Sequence, residues 1–354
     1  MKINGFSYKE LFDLAIQKPI LAQLEITQNC NQECSFCFKE CSYRKKYKDL
    51  PLLTWKKIIK NISNFGVTNI NFTGGEVFLY RDFIELIDYS KKNGIKKIVV
   101  NTNGSVLLSK FELSKIDSLV FSVHGIGEKH DLIVGLKGAF NNLLKNLNKN
   151  IEMSVINVVV TDKNINYLDD ILNYFKKFDL RFFSFNLAGK IDGETSISKA
   201  LFEKYLSFLK RLEKCVGNKV LLRHGMQNII INDKKFFEAK IPLPHCAGGK
   251  YKLLINYKGD VYPCSFFQNN DFYCGNILKD DLSEIWKNGK GFIFFRKQYL
   301  ETKNLPEGCK TCFKKHKCGG GCLVWRSFNK KTKKYEKDIR CDIGNAYLGA
   351  GNNQ

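Results

Sequence analysis

Apolar and polar positions follow two alternating periods along the first two thirds of the chain. Runs at 21–27, 69–73, 97–101, 118–123, 153–161 and 181–187 are rich in Val, Ile and Phe and predict strands. Segments 54–65, 81–93, 109–115, 138–149, 167–178 and 198–214 repeat apolar residues at helical spacing. Thr54 and Ser109 are expected N-caps, and Gly66 and Gly94 expected helix stops. Residues 6–17 predict a short lead-in helix. Six β-then-α units in a row predict an α/β fold on a parallel sheet, either open and doubly wound or a partial barrel. In both, the loops after the strands carry the chemistry.

From about residue 246 the long periodic runs stop, and cysteine, glycine and short irregular segments take over. Lys258-Gly259-Asp260 is a turn between apolar runs at 253–257 and 261–262, and so predicts a hairpin. Pro242 and Pro244 precede this region. The expected organisation is a lead-in at 1–20, a barrel at 21–215, a linker at 216–245 and a small C-terminal domain at 246–354.

Composition narrows the class. Of 354 residues 44% are apolar, enough to bury a core, and none of the apolar runs approaches the roughly 18 residues of a membrane span. The first ten residues lack the apolar segment of a signal peptide, so a cytoplasmic location is expected. In a reducing compartment, 13 cysteines point to metal or redox chemistry rather than to disulfides. The net charge of +22 comes from 49 Lys and only 8 Arg. Nucleic-acid readers rely on arginine for bidentate contacts, so a nucleic-acid partner is disfavoured. The Lys excess reads first as solvated surface and compositional bias, and second as attraction for an acidic partner.

The chemistry concentrates in loops. Cys30, Cys34 and Cys37 follow the first strand at C-x3-C-x2-C spacing, close enough to wrap one metal centre. Three ligands leave one iron of a four-iron cluster open, as a catalytic site needs. A zinc site or chance clustering is the competing reading of those three residues alone. Gly74-Gly75-Glu76 follows the second strand, where two glycines permit close approach to the backbone. Asn101-Thr102-Asn103-Gly104 and Ser122-Val123-His124-Gly125 end the next two strands.

Together these residues resemble the radical S-adenosylmethionine (SAM) superfamily, over roughly residues 20–215. The resemblance implies a partial (β/α)6 TIM-type barrel. It implies a [4Fe–4S] cluster on Cys30, Cys34 and Cys37, with SAM chelating the open iron. Gly74, Gly75 and Glu76 would meet the methionyl amine, Phe36 the adenine, and Asn103 and Ser122 other parts of SAM. Reductive cleavage of SAM would yield methionine and a 5′-deoxyadenosyl radical that abstracts hydrogen from substrate, the protein supplying orientation and a dry pocket.

Downstream, Cys246, Cys264, Cys309, Cys312, Cys318, Cys322 and Cys341 are spaced C-x12-G-x4-C, a gap, C-x2-C-x5-C-x3-C, a gap and C. By spacing alone, iron–sulfur and zinc are equally open. The pattern is similar to the SPASM extension, which implies two auxiliary [4Fe–4S] clusters. Cys309, Cys312, Cys318 and Cys341 would hold the distal one, and Cys246, Cys264 and Cys322 the one nearer the barrel. That second set has three ligands, and Cys274 is the candidate fourth, unless the site stays open for substrate. Cys41 and Cys215 read as structural thiols. His124 is a candidate SAM or substrate contact, against a structural histidine. His245 and His316, beside ligand cysteines, read as exposed or as supporting a cluster.

Within this family, sulfatase-maturating enzymes carry an Asp directly after the cysteine equivalent to Cys264, acting as proton acceptor. Here Ser265 stands in that place, and serine is no carboxylate base. Many peptide maturases begin with a leader-gripping domain, and the 20 residues before the first strand are not expected to form one. The leading expectation is a radical SAM/SPASM enzyme that modifies a ribosomally made peptide or small protein, forming a thioether or carbon–carbon crosslink. Oxidation of a protein side chain or dehydrogenation of a small molecule is the alternative. A zinc or iron–sulfur module that binds nucleic acid is the reading of a different class. An acidic flavodoxin or ferredoxin is the expected electron donor.

Overall fold

The computed structural model describes residues 2–3, 6–7, 18–39, 46–107, 114–189, 198–216, 219, 246–329, 331–332 and 334–341. Its strands are β1 (Lys2–Ile3), β2 (Phe6–Ser7), β3 (Leu21–Thr27), β4 (Asn69–Gly74), β5 (Lys97–Thr102), β6 (Ser118–Ser122), β7 (Ser154–Val160), β8 (Phe182–Leu187), β9 (Lys252–Ile255), β10 (Asp260–Tyr262), β11 (Gly275–Asn276), β12 (Arg326–Asn329) and β13 (Lys334–Asp338). β3 to β8 pair in chain order, every neighbour parallel. Helices Leu52–Phe65, Phe83–Lys92, Ala139–Lys149, Leu168–Phe175 and Lys199–Val216 lie where the helical periodicity predicts them. The parallel sheet and its helices give the α/β architecture on a parallel sheet that the sequence predicts.

The strand alternation explains the two sides of the sheet. In β3, Ala22, Leu24 and Ile26 are fully buried, and they pack in one core with Trp55, Ile58, Ile59 and Ile62 of the first helix. Gln23, Glu25 and Thr27 fall on the opposite, inner face. The inner positions on later strands include further polar residues among valines such as Val120 and Val159. Asn101 donates to Asn71 at 3.0 Å, and Asn186 donates to Asn157 at 2.9 Å and Ser184 at 2.8 Å. Carboxamides can satisfy one another in a partly buried lumen, which charged groups cannot do without partners.

Three expectations need correction. Phe6–Ser7 pairs antiparallel with Lys2–Ile3 as a strand, so a helix does not begin at residue 6; residues 8–17 lie outside the described ones. Thr54 is inside its helix rather than capping it. Pro51 takes the cap position, with its carbonyl accepting from Thr54 and Trp55 N–H at 2.9 and 3.2 Å. Proline has no N–H to leave orphaned and its fixed φ suits a helix start, so the helix begins two residues earlier. An unexpected helix, Glu128–Val134, intervenes between β6 and Ala139–Lys149. Ser109, Cys41, His245 and nearly all of the expected linker lie outside the described residues.

The C-terminal region joins the barrel's own sheet. β9 pairs parallel with β3, and β10 and β11 follow antiparallel, giving the order β11-β10-β9-β3-β4-β5-β6-β7-β8. The predicted hairpin around Gly259 is therefore β9–β10. Helices Leu282–Asn288 and Lys290–Leu300 cover it, burying Trp286, Phe292 and Phe295. Phe38, just after the first cysteine loop, stacks on Phe266 at 4.6 Å between ring centres. Barrel and C-terminal region thus share both a sheet and an aromatic seam.

Candidate functional site

The loop after β3 carries Cys30, Cys34 and Cys37. It is pinned from one side by Glu33 N–H to the Val134 carbonyl (2.9 Å) and folded on itself by Cys37 N–H to the Cys34 carbonyl (3.0 Å). Burial pushes the Cys30 thiol up to about 11 and the Cys34 thiol up to about 12. The charges of neighbouring thiolates add to the shift, Cys37 acting on both and Cys30 on Cys34. Three neighbouring thiolates are unfavourable in this buried loop, and a cationic iron core held by them would remove the penalty. The Asn103 amide adds a donor 3.9 Å from the Cys30 sulfur.

Gly74 and Gly75 are required by the chain itself. A Cβ at Gly74 would lie 2.2 Å from the Thr27 carbonyl oxygen, and one at Gly75 would lie 2.1 Å from that of Asn29. The contact is hydrogen-bonded: Gly75 N–H donates to Thr27 and Glu76 N–H to Asn29, both at 2.8 Å. The end of β4 is thereby fastened to the cysteine loop. Glu76 is fully buried. Its carboxylate accepts from Asn103 N–H (2.7 Å), Thr102 Oγ1 (2.9 Å) and Phe78 N–H (3.2 Å). Burial raises its pKa to about 7, against the pull of those donors. Glu76 thus joins the ends of β4 and β5 and presents Asn103 toward Cys30.

A cavity of about 290 Å³ opens from these loops. Cys30, Cys34, Cys37, Phe36, Gly74, Gly75, Asn103 and Ser122 all line it, together with Ser265 and Phe266 of the C-terminal region. Gln23, Asn101, Asn157 and Asn186 add uncharged polar groups to a lining that also holds Val120, Val159 and Leu187. Lys39 is the one cation in that lining, and its ammonium pairs with Glu25 at 2.6 Å. Gln268 donates to both Glu25 oxygens at 3.1 Å and to the Ser265 carbonyl at 3.1 Å. His124 lines the cavity too, edge-on to Phe36 at 4.5 Å. Its Nδ1 accepts from Val159 N–H at 3.3 Å, and burial pulls its pKa well below the usual range, so the ring is neutral with its proton on Nε2. His130 Nδ1 accepts from the His124 N–H at 3.2 Å and supports that loop.

The downstream cysteines fall into two electrostatic groups. Cys322 feels Cys246 and Cys264, and Cys264 feels Cys246. Cys309 feels Cys341 and Cys312, and Cys318 feels Cys341 and Cys309. These are the two sets expected for the barrel-proximal and distal clusters. Burial raises Cys318 to about 12 and Cys309 to about 11. Among the described residues no three His, Cys, Asp or Glu side chains converge as a single-ion site. Cluster ligands, each on a different iron, stand farther apart than ligands sharing one ion. Each set also has a buried cation with an unfilled donor: Lys250 Nζ near Cys246, and Arg326 Nη2 near Cys309. An anionic iron–sulfur cluster is an acceptor that such donors lack.

Cys274 sits apart from this pattern. It is buried in the apolar core with Ile277, Leu282, Ile285 and Trp286, and its thiol donates to the Phe272 carbonyl at 3.4 Å. Cys215 is exposed on helix Lys199–Val216. Glu25, Lys39, Gln268 and Lys250 were not singled out by sequence reasoning. Glu25 and Gln23 had a signal, being polar at alternate positions of an otherwise apolar strand. Lys250 had none.

Residues 24–175 match the radical SAM superfamily, and residues 246–313 match SPASM, an iron–sulfur cluster-binding domain. The chain is 27% identical over 332 residues to the mycofactocin maturase MftC of Mycolicibacterium smegmatis, covering 90% of this chain and 82% of that protein. It is 24% identical over 330 residues to the AdoMet-dependent heme synthase of Nitratidesulfovibrio vulgaris, covering 86% and 87%. In fold it is similar to Streptococcus suis SuiB bound to the precursor peptide SuiA, with TM-score 0.71, 18% identity and coverage of 94% and 79%.

Proposed function

The chain belongs to the radical SAM superfamily and carries the SPASM extension, and on that premise we propose that it modifies a ribosomally made peptide or small protein by hydrogen abstraction. The enzyme uses SAM and [4Fe–4S] clusters, and when bound these supply the 5′-deoxyadenosyl radical. Cys30, Cys34 and Cys37 are the residues to hold the SAM-binding cluster. Cys246, Cys264 and Cys322, and separately Cys309, Cys312, Cys318 and Cys341, are those to hold auxiliary clusters. Gly74, Gly75, Asn103, Ser122 and Phe36, which line the cavity, are the residues to contact SAM; Glu76, expected there too, is outside that lining and accepts from Asn103 N–H, so its part is to hold Asn103.

The observation that carries the substrate class is the cavity wall. Gln23, Asn101, Asn157 and Asn186 offer paired donors and acceptors, which suit the amides of a peptide. An anionic small molecule would need cationic partners, and Lys39 is already ion-paired. MftC is named a maturase and SuiB was captured with a precursor peptide; the haem-synthase relative shows that similarity alone does not choose the substrate. The test is anaerobic co-expression with the small peptides encoded beside the gene, read by mass spectrometry. A loss of two hydrogens per crosslink is expected; unchanged masses for every candidate overturn the reading.

A second reading, oxidation of a protein side chain, gains one observation. Glu25 brings a carboxylate beside Ser265, through Gln268, where the sequence lacks an Asp. A carbonyl product on a serine or cysteine of the substrate would favour it. An acidic flavodoxin or ferredoxin remains the electron donor suggested by the +22 charge, and reduction rates that fall with added salt are the expected sign. Among the described residues no helix is long and apolar enough to cross a membrane.

A further inference from the structure

Behind Cys246 the chain doubles back: the N–H groups of Lys250, Tyr251 and Lys252 all reach the Ala247 carbonyl, at 3.2, 3.2 and 3.0 Å. This turn carries the Lys250 side chain inward. Lys250 is 1% exposed, and its ammonium has no hydrogen-bond acceptor among the described residues. It lies within electrostatic reach of Cys246 and 5.4 Å from the centre of the Tyr299 ring. Tyr299 itself feels both Cys246 and Cys322, and its hydroxyl accepts from the N–H of Leu323 at 3.1 Å. Lys250 and Tyr299 therefore stand together at the Cys246–Cys322 pair. A buried ammonium with only an aromatic face for company is expensive, and such groups persist when something anionic compensates them.

We propose that Lys250 tunes the barrel-proximal auxiliary cluster: its ammonium donates a hydrogen bond to a cluster sulfur and favours [4Fe–4S]1+ over [4Fe–4S]2+ in the one-electron couple. This rests on the reading of Cys246, Cys264 and Cys322 as cluster ligands. Burial lowers the Lys250 pKa to about 8, so at neutral pH the ammonium persists, and its charge and an N–H···S bond both favour the form with one more electron, raising the potential. The cluster nearest the substrate cavity is thereby made a better electron acceptor than it would be without Lys250. Exposed lysines nearby do not share the effect, because water screens them.

The test is a redox titration of the whole reconstituted chain, followed by electron paramagnetic resonance, on the wild type, Lys250→Met, Lys250→Arg and the exposed control Lys258→Met. All are expected to keep about twelve irons. In Lys250→Met the reduced-to-oxidised ratio of one auxiliary cluster, at fixed solution potential, falls about tenfold, or about 59 mV for one electron. The other two clusters do not move, and the Arg and Lys258→Met proteins stay near wild type. A Lys250→Met protein with full iron and unmoved potentials overturns the proposal. Should that variant fail to load, Lys250→Gln, which keeps a donor without the charge, decides in the same way. A wild type with about eight irons, none lost in Cys322→Ala, overturns the cluster reading instead.

Discussion

The Glu25 carboxylate lies 2.6 Å from the Lys39 ammonium, and this pair ties three parts of the chain together. Glu25 comes from the inner face of β3, Lys39 from the segment after the cysteine loop, and Gln268, which donates to Glu25, from the C-terminal region. Both charged side chains are nearly buried, at 5% and 12% exposure. Removing one partner strands the other, at about 3 kcal/mol or more, whereas removing both is far cheaper. Glu25→Gln is therefore expected to lower the thermal midpoint of the loaded protein, and Glu25→Gln with Lys39→Met to recover much of the loss. Additive losses in the double variant would show that the two groups act separately.

The same carboxylate separates the two functional readings. If Glu25 accepts a proton from the substrate radical's oxidation, Glu25→Gln loses turnover by about a hundredfold or more while still cleaving SAM. If it only braces the wall for a crosslinking reaction, the double variant retains turnover within about tenfold of wild type. Product and 5′-deoxyadenosine, quantified together, report which holds.

Gly75→Ala tests the seam between β4 and the cysteine loop. The added methyl would need the space that the Asn29 carbonyl occupies, 2.1 Å away, and backbone on both sides leaves no flexible neighbour to yield. The barrel should still form, since the contact is at its rim. The expected result is wild-type helix content by circular dichroism with about four irons fewer. Full iron in this variant would show that the loop can hold its cluster without the seam.

The six strand–helix units were legible because each strand buries one face against a helix and each helix repeats every three to four residues. The cysteine loops were legible because metal ligands cluster in sequence. The β9–β3 pairing was not: its partners, such as Leu21 and Lys252, lie at opposite ends of the sequence pattern, and a parallel edge carries no local signal. Glu25 was visible as a polar residue in an apolar strand, but its meaning needed Gln268 from that distant region. Lys250 was invisible, because lysine is assigned to the surface unless a partner says otherwise. Gly74 and Gly75 were read as making room for a ligand; the structure adds that the first thing they make room for is the backbone of the neighbouring loop.

Glu76 gives the cluster-free chain a pH dependence of definite sign. Its carboxyl has a pKa of about 7 when folded, above an ordinary value of 4.5, so the folded chain holds this proton more tightly than the unfolded one. The contribution to stability is complete below the unfolded value and is lost as pH rises from 4.5 through 7. Midpoints of chemical denaturation should fall across that window and then level. Glu76→Gln removes this slope, yet it also turns an amide donor toward groups that already donate, so it is less stable than wild type at low pH. A slope unchanged in Glu76→Gln would assign it to other groups.

Cys274 and Cys322 share a residue type and a buried setting, and they are expected to respond oppositely. Burial holds the Cys274 thiol at about 12, and the backbone of Phe272, Gly291 and Phe292 surrounds it. Gly291 has so little room that a Cβ there would lie 2.9 Å from the sulfur. Burial pushes the Cys322 thiol up, Arg340 nearby opposes that, and Cys246 and Cys264 add to it. Cys274→Ala should keep the full iron content and lose roughly 1 kcal/mol of stability from the small void. Cys322→Ala should lose about four irons along with one auxiliary signal in electron paramagnetic resonance. If Cys274→Ala instead sheds a cluster, the fourth ligand of the barrel-proximal set is Cys274, and the loop carrying it rearranges when iron binds.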